Sequence, residues 1–335
     1  MSPAREAGEL FDGPNGPART GSRWPALTEA LKLKGCPLRP YLAQRFPLRK
    51  PIFEQYKETA AGPLVVPGDP SMGGGTGAVG GAFDHLVRFL VDPQPELFLP
   101  ATGALRFGGR MPTALVELAT SLGVSRSPFD APVVTTRFEG PRAPSAQDPE
   151  VLARGCWALS YLTELGRGIP PERSPLAQFD PRTVSGDDLF GLASSAALDQ
   201  LAALRTQAEK VLLPALASRP GVWAVGPTFE GSALMNADAD LIAAGTLVEI
   251  KTVLGSKRKD GSRYAVLDAP MLFQMVGYTL LDFHDDFAIR EVALFNARYG
   301  HLAVWDLQAL LDSLAGCPVD LSTLRADFAH FLHKG

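Results

Sequence analysis

Two apolar, branched segments, "ALMNADADLI" and "TLVEIKTVL", are separated in this chain by little more than Ala244-Gly245. A glycine in so short a link supplies the positive φ of a two-residue turn, so the segments are expected to pair as an antiparallel hairpin. With Ala244 and Gly245 as the loop, Asp240 falls opposite Glu249 and Asp238 opposite Lys251. Side chains alternate faces along a strand. Leu247, Glu249 and Lys251 therefore project one way, with Val248 and Ile250 behind them. Asp238 and Asp240 share a face in the same manner, backed by Ala239 and Leu241. Opposed Cβ atoms sit about 4.5–5.5 Å apart, and two carboxylates at that spacing repel unless a cation or a proton lies between them. A hard divalent ion that takes oxygen ligands meets that need, Mg²⁺ being the usual case and Mn²⁺ a substitute. The alternative is a solvated face on which Asp238 and Lys251 form a surface ion pair.

The texture of the chain changes after Pro220. Downstream, "GVWAVGPTFEG", "EVALFNARY" and "HLAVWDL" also read as strands, with one helix, "APMLFQMVGYTLLDFH", among them. Residues 221–252 are expected to form a three-strand antiparallel meander. Upstream, residues 110–217 are patterned as helices, with Pro-rich connections at 128–149 and 169–182. They leave no strands of their own to pair, which predicts a helical insertion or cap. Residues 1–22 lack apolar periodicity and are read as a disordered tail. In the region 23–109, "AVGGAFDHLVRFLV" carries Phe83, Leu86, Val87 and Leu90 on one helix face and is a candidate helix of the core formed by residues 218–335. The fold class is α/β: a mixed central sheet flanked by helices, with a large helical insertion.

Composition excludes several classes. A chain of 335 residues that is 46% apolar can bury a substantial core. No apolar run approaches the length of a bilayer span, and the first residues lack the apolar stretch of a signal peptide. A cytoplasmic protein with no membrane partner is expected. Cys36, Cys156 and Cys317 are few, odd in number and far apart, which excludes a disulfide scaffold and speaks against an iron–sulfur cluster. A net charge of −4 offers nucleic acid no general attraction, so any basic surface must be local. "GSKRKDGSR" is such a place: Lys257, Arg258, Lys259 and Arg263 stand against one acid, Asp260. The loop is expected either to grip a DNA backbone through its phosphates or to be a solvated tip. "GTGAVG", from Gly75 to Gly80, fits the spacing of a nucleotide-binding loop, but no strand runs directly into its first glycine. Nucleotide binding is therefore the lesser reading.

"ADADLI" followed by "TLVEIKT" resembles the active-site hairpin of the PD-(D/E)XK nuclease superfamily, an Asp on one strand and E-x-K on the next. Gln274 and Tyr278 in "FQMVGYTLL" match the Q-x-x-x-Y helix of its RecB-like branch. "GGAFDHLVRFL" is similar to the branch's first helix, with Asp84 in the histidine position and His85 one residue late. The resemblance covers residues 221–300 and, more weakly, 78–91. It implies a restriction-endonuclease-like core and a Mg²⁺-dependent deoxyribonuclease, an activity suited to DNA repair or defence against foreign DNA. It also implies roles. Asp240, Glu249 and the Ile250 carbonyl would hold the metal, and Lys251 would orient or deprotonate a water. Gln274 would position Lys251 or a phosphate, supported by Tyr278. Asp84 would complete the metal ligands in place of the histidine, with Asp238 the second choice. Otherwise Asp84 pairs with Arg88 one turn later, on a helix remote from the hairpin. A catalytically silent nucleic-acid- or partner-binding module on the same fold is the alternative, against which intact Asp240, Glu249, Lys251 and Gln274 count.

Overall fold

The segment Thr246–Lys251 is buried at every position up to Ile250, so the sheet that contains it must be covered on both faces. The computed structural model of the chain describes residues 24–69, 75–130, 135–140 and 142–334; the expected tail, 1–22, lies outside them. The strands are β1 (Arg137–Glu139), β2 (Val222–Val225), β3 (Leu241–Ala243), β4 (Thr246–Lys251), β5 (Ser256–Lys257), β6 (Arg263–Tyr264), β7 (Glu291–Asn296) and β8 (His301–Asp306). Six of them form one mixed sheet in the order β1-β2-β3-β4-β7-β8. Only the β4–β7 pair in it is parallel; β5 and β6 make a separate hairpin.

Alternation decides which layer covers which face. Helices α1 (Leu27–Ala30), α2 (Leu38–Arg45) and α3 (Lys50–Thr59) pack into a core with Ala224, Ile242, Leu247, Val292 and Leu294 of the sheet. The opposite face presents Trp223, Leu241, Val248, Ile250 and Phe295. That face is covered by α4 (Gly75–Val91), α5 (Phe98–Phe107), α6 (Met111–Ser121), α7 (Pro149–Gly166), α8 (Gly186–Phe190), α9 (Ser195–Gln207) and α10 (Leu213–Ala217). Helices α11 (Ala269–Leu281), α12 (Leu307–Ala315) and α13 (Leu321–Lys334) join the first three. Phe83, Leu86, Val87 and Leu90, the predicted apolar face of α4, all lie in the second core. Phe83 is fully buried there, and truncating such a side chain to alanine costs about 3–5 kcal/mol.

Two expectations need correction. Residues 110–217 do carry a strand: β1 pairs antiparallel with β2, placing Phe138 beside Trp223. Its three residues are too short to leave a periodic signal, yet the open edge of β2 offers the backbone groups it needs. The helices of this region lie beside the sheet, and α7 packs on α4 and α5 within one layer. Residues Gly75–Gly80 form the first turns of α4. The segment 232–242 is strand only at β3; a 3₁₀ turn occupies Glu230–Ala233.

The meander itself is present. Ala244 (φ 50°) and Gly245 (φ 79°) form the two-residue turn, and the register pairs Leu241 with Val248 and Ala243 with Thr246, as the link length requires. A parallel β4–β7 pair demands a crossover. That crossover contains α11, which is thereby laid over the Glu249 face of β4. Among the described residues, no helix is long and apolar enough to cross a membrane.

Candidate functional site

Pairing between β3 and β4 stops at Leu241, and this sets the geometry of the site. Asp240, the residue before, has its carbonyl bonded to the Gly226 amide at 3.0 Å. Its side chain reaches across, and Oδ2 accepts the Ile250 N–H at 2.6 Å. The Asp240 carboxyl is thus pinned to the backbone between Glu249 and Lys251. Glu249 is 1% exposed. Its Oε1 accepts from the Lys251 ammonium and from Gln274 Nε2, the latter at 2.8 Å. Its Oε2 is buried with no hydrogen-bond partner. Gln274 also accepts from Lys251 Nζ at 3.2 Å and donates to Tyr278 Oη at 2.8 Å. Four of the predicted residues therefore form one connected network, and Gln274 positions both charged groups of the E-x-K.

Asp84 approaches this network from the other layer, near enough for its charge to act on Asp240 and Glu249. It accepts from Arg88 Nε at 3.0 Å and Nη2 at 2.9 Å, so the i,i+4 pair is made. The helix is nonetheless not remote. A Cβ at Gly80 would stand 3.2 Å from Thr252 Oγ1, just past Lys251, so α4 runs close by the end of β4. Arg88 packs its guanidinium over Gly226, where a Cβ would come within 2.2 Å of Nη1. The pairing with Arg88 is therefore made on a helix that passes close to the hairpin. Asp84 Oδ1 is buried and unpartnered. Gly81, in contrast, faces Ser160 of α7.

Asp238 does not face Lys251. Because the strand register lapses before Leu241, Asp238 bridges to Thr228 and binds Arg167 Nη2 at 2.7 Å. Arg167 caps α7 and lies 71 residues away in sequence; as a basic residue at a helix end it carried no signal of this role. His85 turns to Thr163 Oγ1 at 2.8 Å rather than to the cluster, and burial, then the Arg88 charge, push its pKa down to about 3.

The electrostatics are those of crowded, dehydrated carboxylates. Burial, followed by the charges of Glu249 and Asp84, raises the Asp240 pKa well above the carboxylate range. Burial raises Glu249 as well, against the opposing pull of Lys251. Burial works against the Lys251 ammonium, but Glu249 and Asp240 outweigh it and lift its pKa. Asp84 is also opposed by burial; Arg88 prevails and holds it below the usual range. Buried charge of this density is expensive unless compensated. Asp84, Asp240 and Glu249 are hard oxygen donors, and two of them keep a buried oxygen unused, which suits a divalent cation of the Mg²⁺ class. Among the described residues no three acidic, histidine or cysteine side chains are drawn into a coordination shell; the charge facing Glu249 here is the Lys251 ammonium.

The basic loop folds as the β5–β6 hairpin, away from this network. It splits in two: Arg258 and Arg263 line a groove of about 820 Å³, while Lys257 and Lys259 are exposed outside it. Compared with protein-family models, curated proteins and solved structures, the chain matches none.

Proposed function

We propose that the chain is a Mg²⁺-dependent deoxyribonuclease that hydrolyses DNA phosphodiester bonds on a restriction-endonuclease-like core of the PD-(D/E)XK type. One observation carries this: Glu249, Lys251 and Gln274 form one hydrogen-bonded network at the end of β4, with the Asp240 carboxyl held on the Ile250 amide between them and Glu249 Oε2 buried and unpartnered. A silent binding module would have no use for so costly a cluster. Asp240 and Glu249, with the Ile250 carbonyl and Asp84, would hold the metal. When bound, the ion supplies Lewis-acid polarisation of a phosphoryl oxygen and a more acidic water.

The remaining roles belong to the protein's own groups. Lys251, protonated beside Glu249, presents a compact positive charge to the oxygens on which charge accumulates during displacement. It acts as an electrostatic group, and a water-deprotonating role would first require its neighbours' charge to be neutralised. Gln274 fixes the Lys251 and Glu249 side chains relative to one another, and Tyr278 anchors Gln274. The α4 helix closes the site from the opposite layer through Asp84.

Incubating the protein with labelled linear, circular and single-stranded DNA in Mg²⁺, Mn²⁺ or EDTA tests the proposal. Cleavage that needs the metal and vanishes in Glu249→Gln is expected. Intact DNA in every metal, from protein that still binds it, would leave only the silent module.

A further inference from the structure

The groove beside the hairpin has no part in the carboxylate network, yet it begins where that network ends. Arg298, in the β7–β8 turn, donates from Nε to the carbonyl of Thr252, the residue after Lys251, at 2.7 Å. From Nη1 it donates to the carbonyls of Val66 and Pro67 and to Gln200 Oε1. Its backbone carbonyl accepts the amides of Val65 and Val66. One arginine thereby ties the end of β4 to the wall formed by the segment before α4. Arg298 is 1% exposed, and the carbonyls and the amide to which it donates are neutral. An unneutralised buried cation is costly, and this one lines the groove.

Arg258 and Arg263 line the same groove. Arg258 lies 4.8 Å above the Tyr264 ring, and Arg263 is held by the Gly255 carbonyl at 3.1 Å. Among the described residues, none of the three arginines forms a salt bridge with a carboxylate, although Asp69 also lines the groove. Between the walls the lining is apolar, with Leu64, Val79 and Leu254. The volume, about 820 Å³, is that of a site for a ligand of a few rings, in the range of about 300–1,000 Å³.

Resting on the nuclease reading, we propose that this groove receives a short single-stranded segment of DNA and leads it to the carboxylate cluster. Cationic walls track the phosphates, while the apolar lining receives base faces. A duplex keeps its base faces stacked inside and has nothing to offer that lining. Arg298 serves as a positioning residue that sets the wall, and Arg258 and Arg263 make the phosphate contacts. Both are partly exposed on a two-stranded hairpin, so they can be neutralised without disturbing a core.

Fluorescence anisotropy of a labelled single strand and of its duplex, in EDTA, tests the groove apart from catalysis. The full-length protein should bind the single strand at least tenfold more tightly than the duplex. Arg258→Gln with Arg263→Gln should weaken single-strand binding at least tenfold. It should also reduce the slope of log affinity against log salt by about 1.4, at about 0.7 per lost phosphate contact. Cleavage by the wild-type protein in Mg²⁺ is measured in parallel. If DNA is cut but the double variant binds single strands unchanged, or the duplex binds as tightly, the groove proposal is wrong and the nuclease reading stands. If no DNA is cut but the preference and its loss are observed, the groove holds and the nuclease reading fails.

Discussion

Gln274 Nε2 lies 2.8 Å from Glu249 Oε1, while the same amide accepts from Lys251. One helical side chain thus holds both charged residues of a strand in register with each other. Replacing Gln274 by Leu should lower the rate of Mg²⁺-dependent cleavage about 10–100-fold, the usual cost of losing a group that orients metal ligands. Tyr278→Phe removes only the second acceptor of that amide and should cost less than Gln274→Leu. Single-turnover kinetics distinguish the two, and equal losses would mean that the tyrosine hydroxyl itself contacts substrate.

Neutralising Asp240 should separate activity from stability. Its raised pKa means that the native protein keeps a proton which the unfolded chain releases at about pH 4. Native stability therefore falls as pH rises from about 4 toward the folded-state pKa. Asp240→Asn escapes this loss. Its advantage over the wild type should grow across that window in EDTA, while cleavage is abolished. Urea unfolding at several pH values measures it; a variant less stable than the wild type at pH 7 would give Asp240 a purely structural role.

Mg²⁺ should stabilise the fold through the carboxylates. At 100 times the dissociation constant the gain is about 2.7 kcal/mol, read as a rise in Tm. Glu249→Gln and Asp84→Asn should each lose most of that rise. Asp238→Asn should keep it, because Asp238 is committed to Arg167 on the surface of the site. A full Mg²⁺ response in Asp84→Asn would remove Asp84 from the ligand set.

His85 predicts a pH effect of the opposite sign. Its pKa is near 3 in the folded chain and about 6.5 when unfolded. As pH falls below about 6.5 the unfolded chain takes up the proton first, so native stability is lost by up to about 1.4 kcal/mol per unit. The stability difference between wild type and His85→Gln should be constant above pH 7 and decline below 6.5. A constant difference down to pH 5 would show that the imidazole is protonated in the native state.

Much of the site was legible because it is local. The two-residue link dictates the hairpin register, alternation puts Glu249 and Lys251 on one face, and a spacing of four brings Gln274 and Tyr278 together on α11. These relations follow from backbone geometry, so residue order alone determined them. The apolar stripe of α4 was readable for the same reason.

What the sequence left open is whatever depends on where one element ends and which distant element covers it. Asp240 escapes strand pairing because Gly226 takes its carbonyl, and Asp238 finds Arg167 because α7 ends there. That α4 passes close to the end of β4 follows from the approach of Gly80 to Thr252, residues 172 positions apart. The strand β1 exists because β2 has an open edge, and Arg298 reaches the segment before α4 through the Val66 carbonyl. Each of these contacts joins residues tens to hundreds of positions apart. Their energy comes from burial and charge compensation across packed layers, which only the folded chain brings into contact.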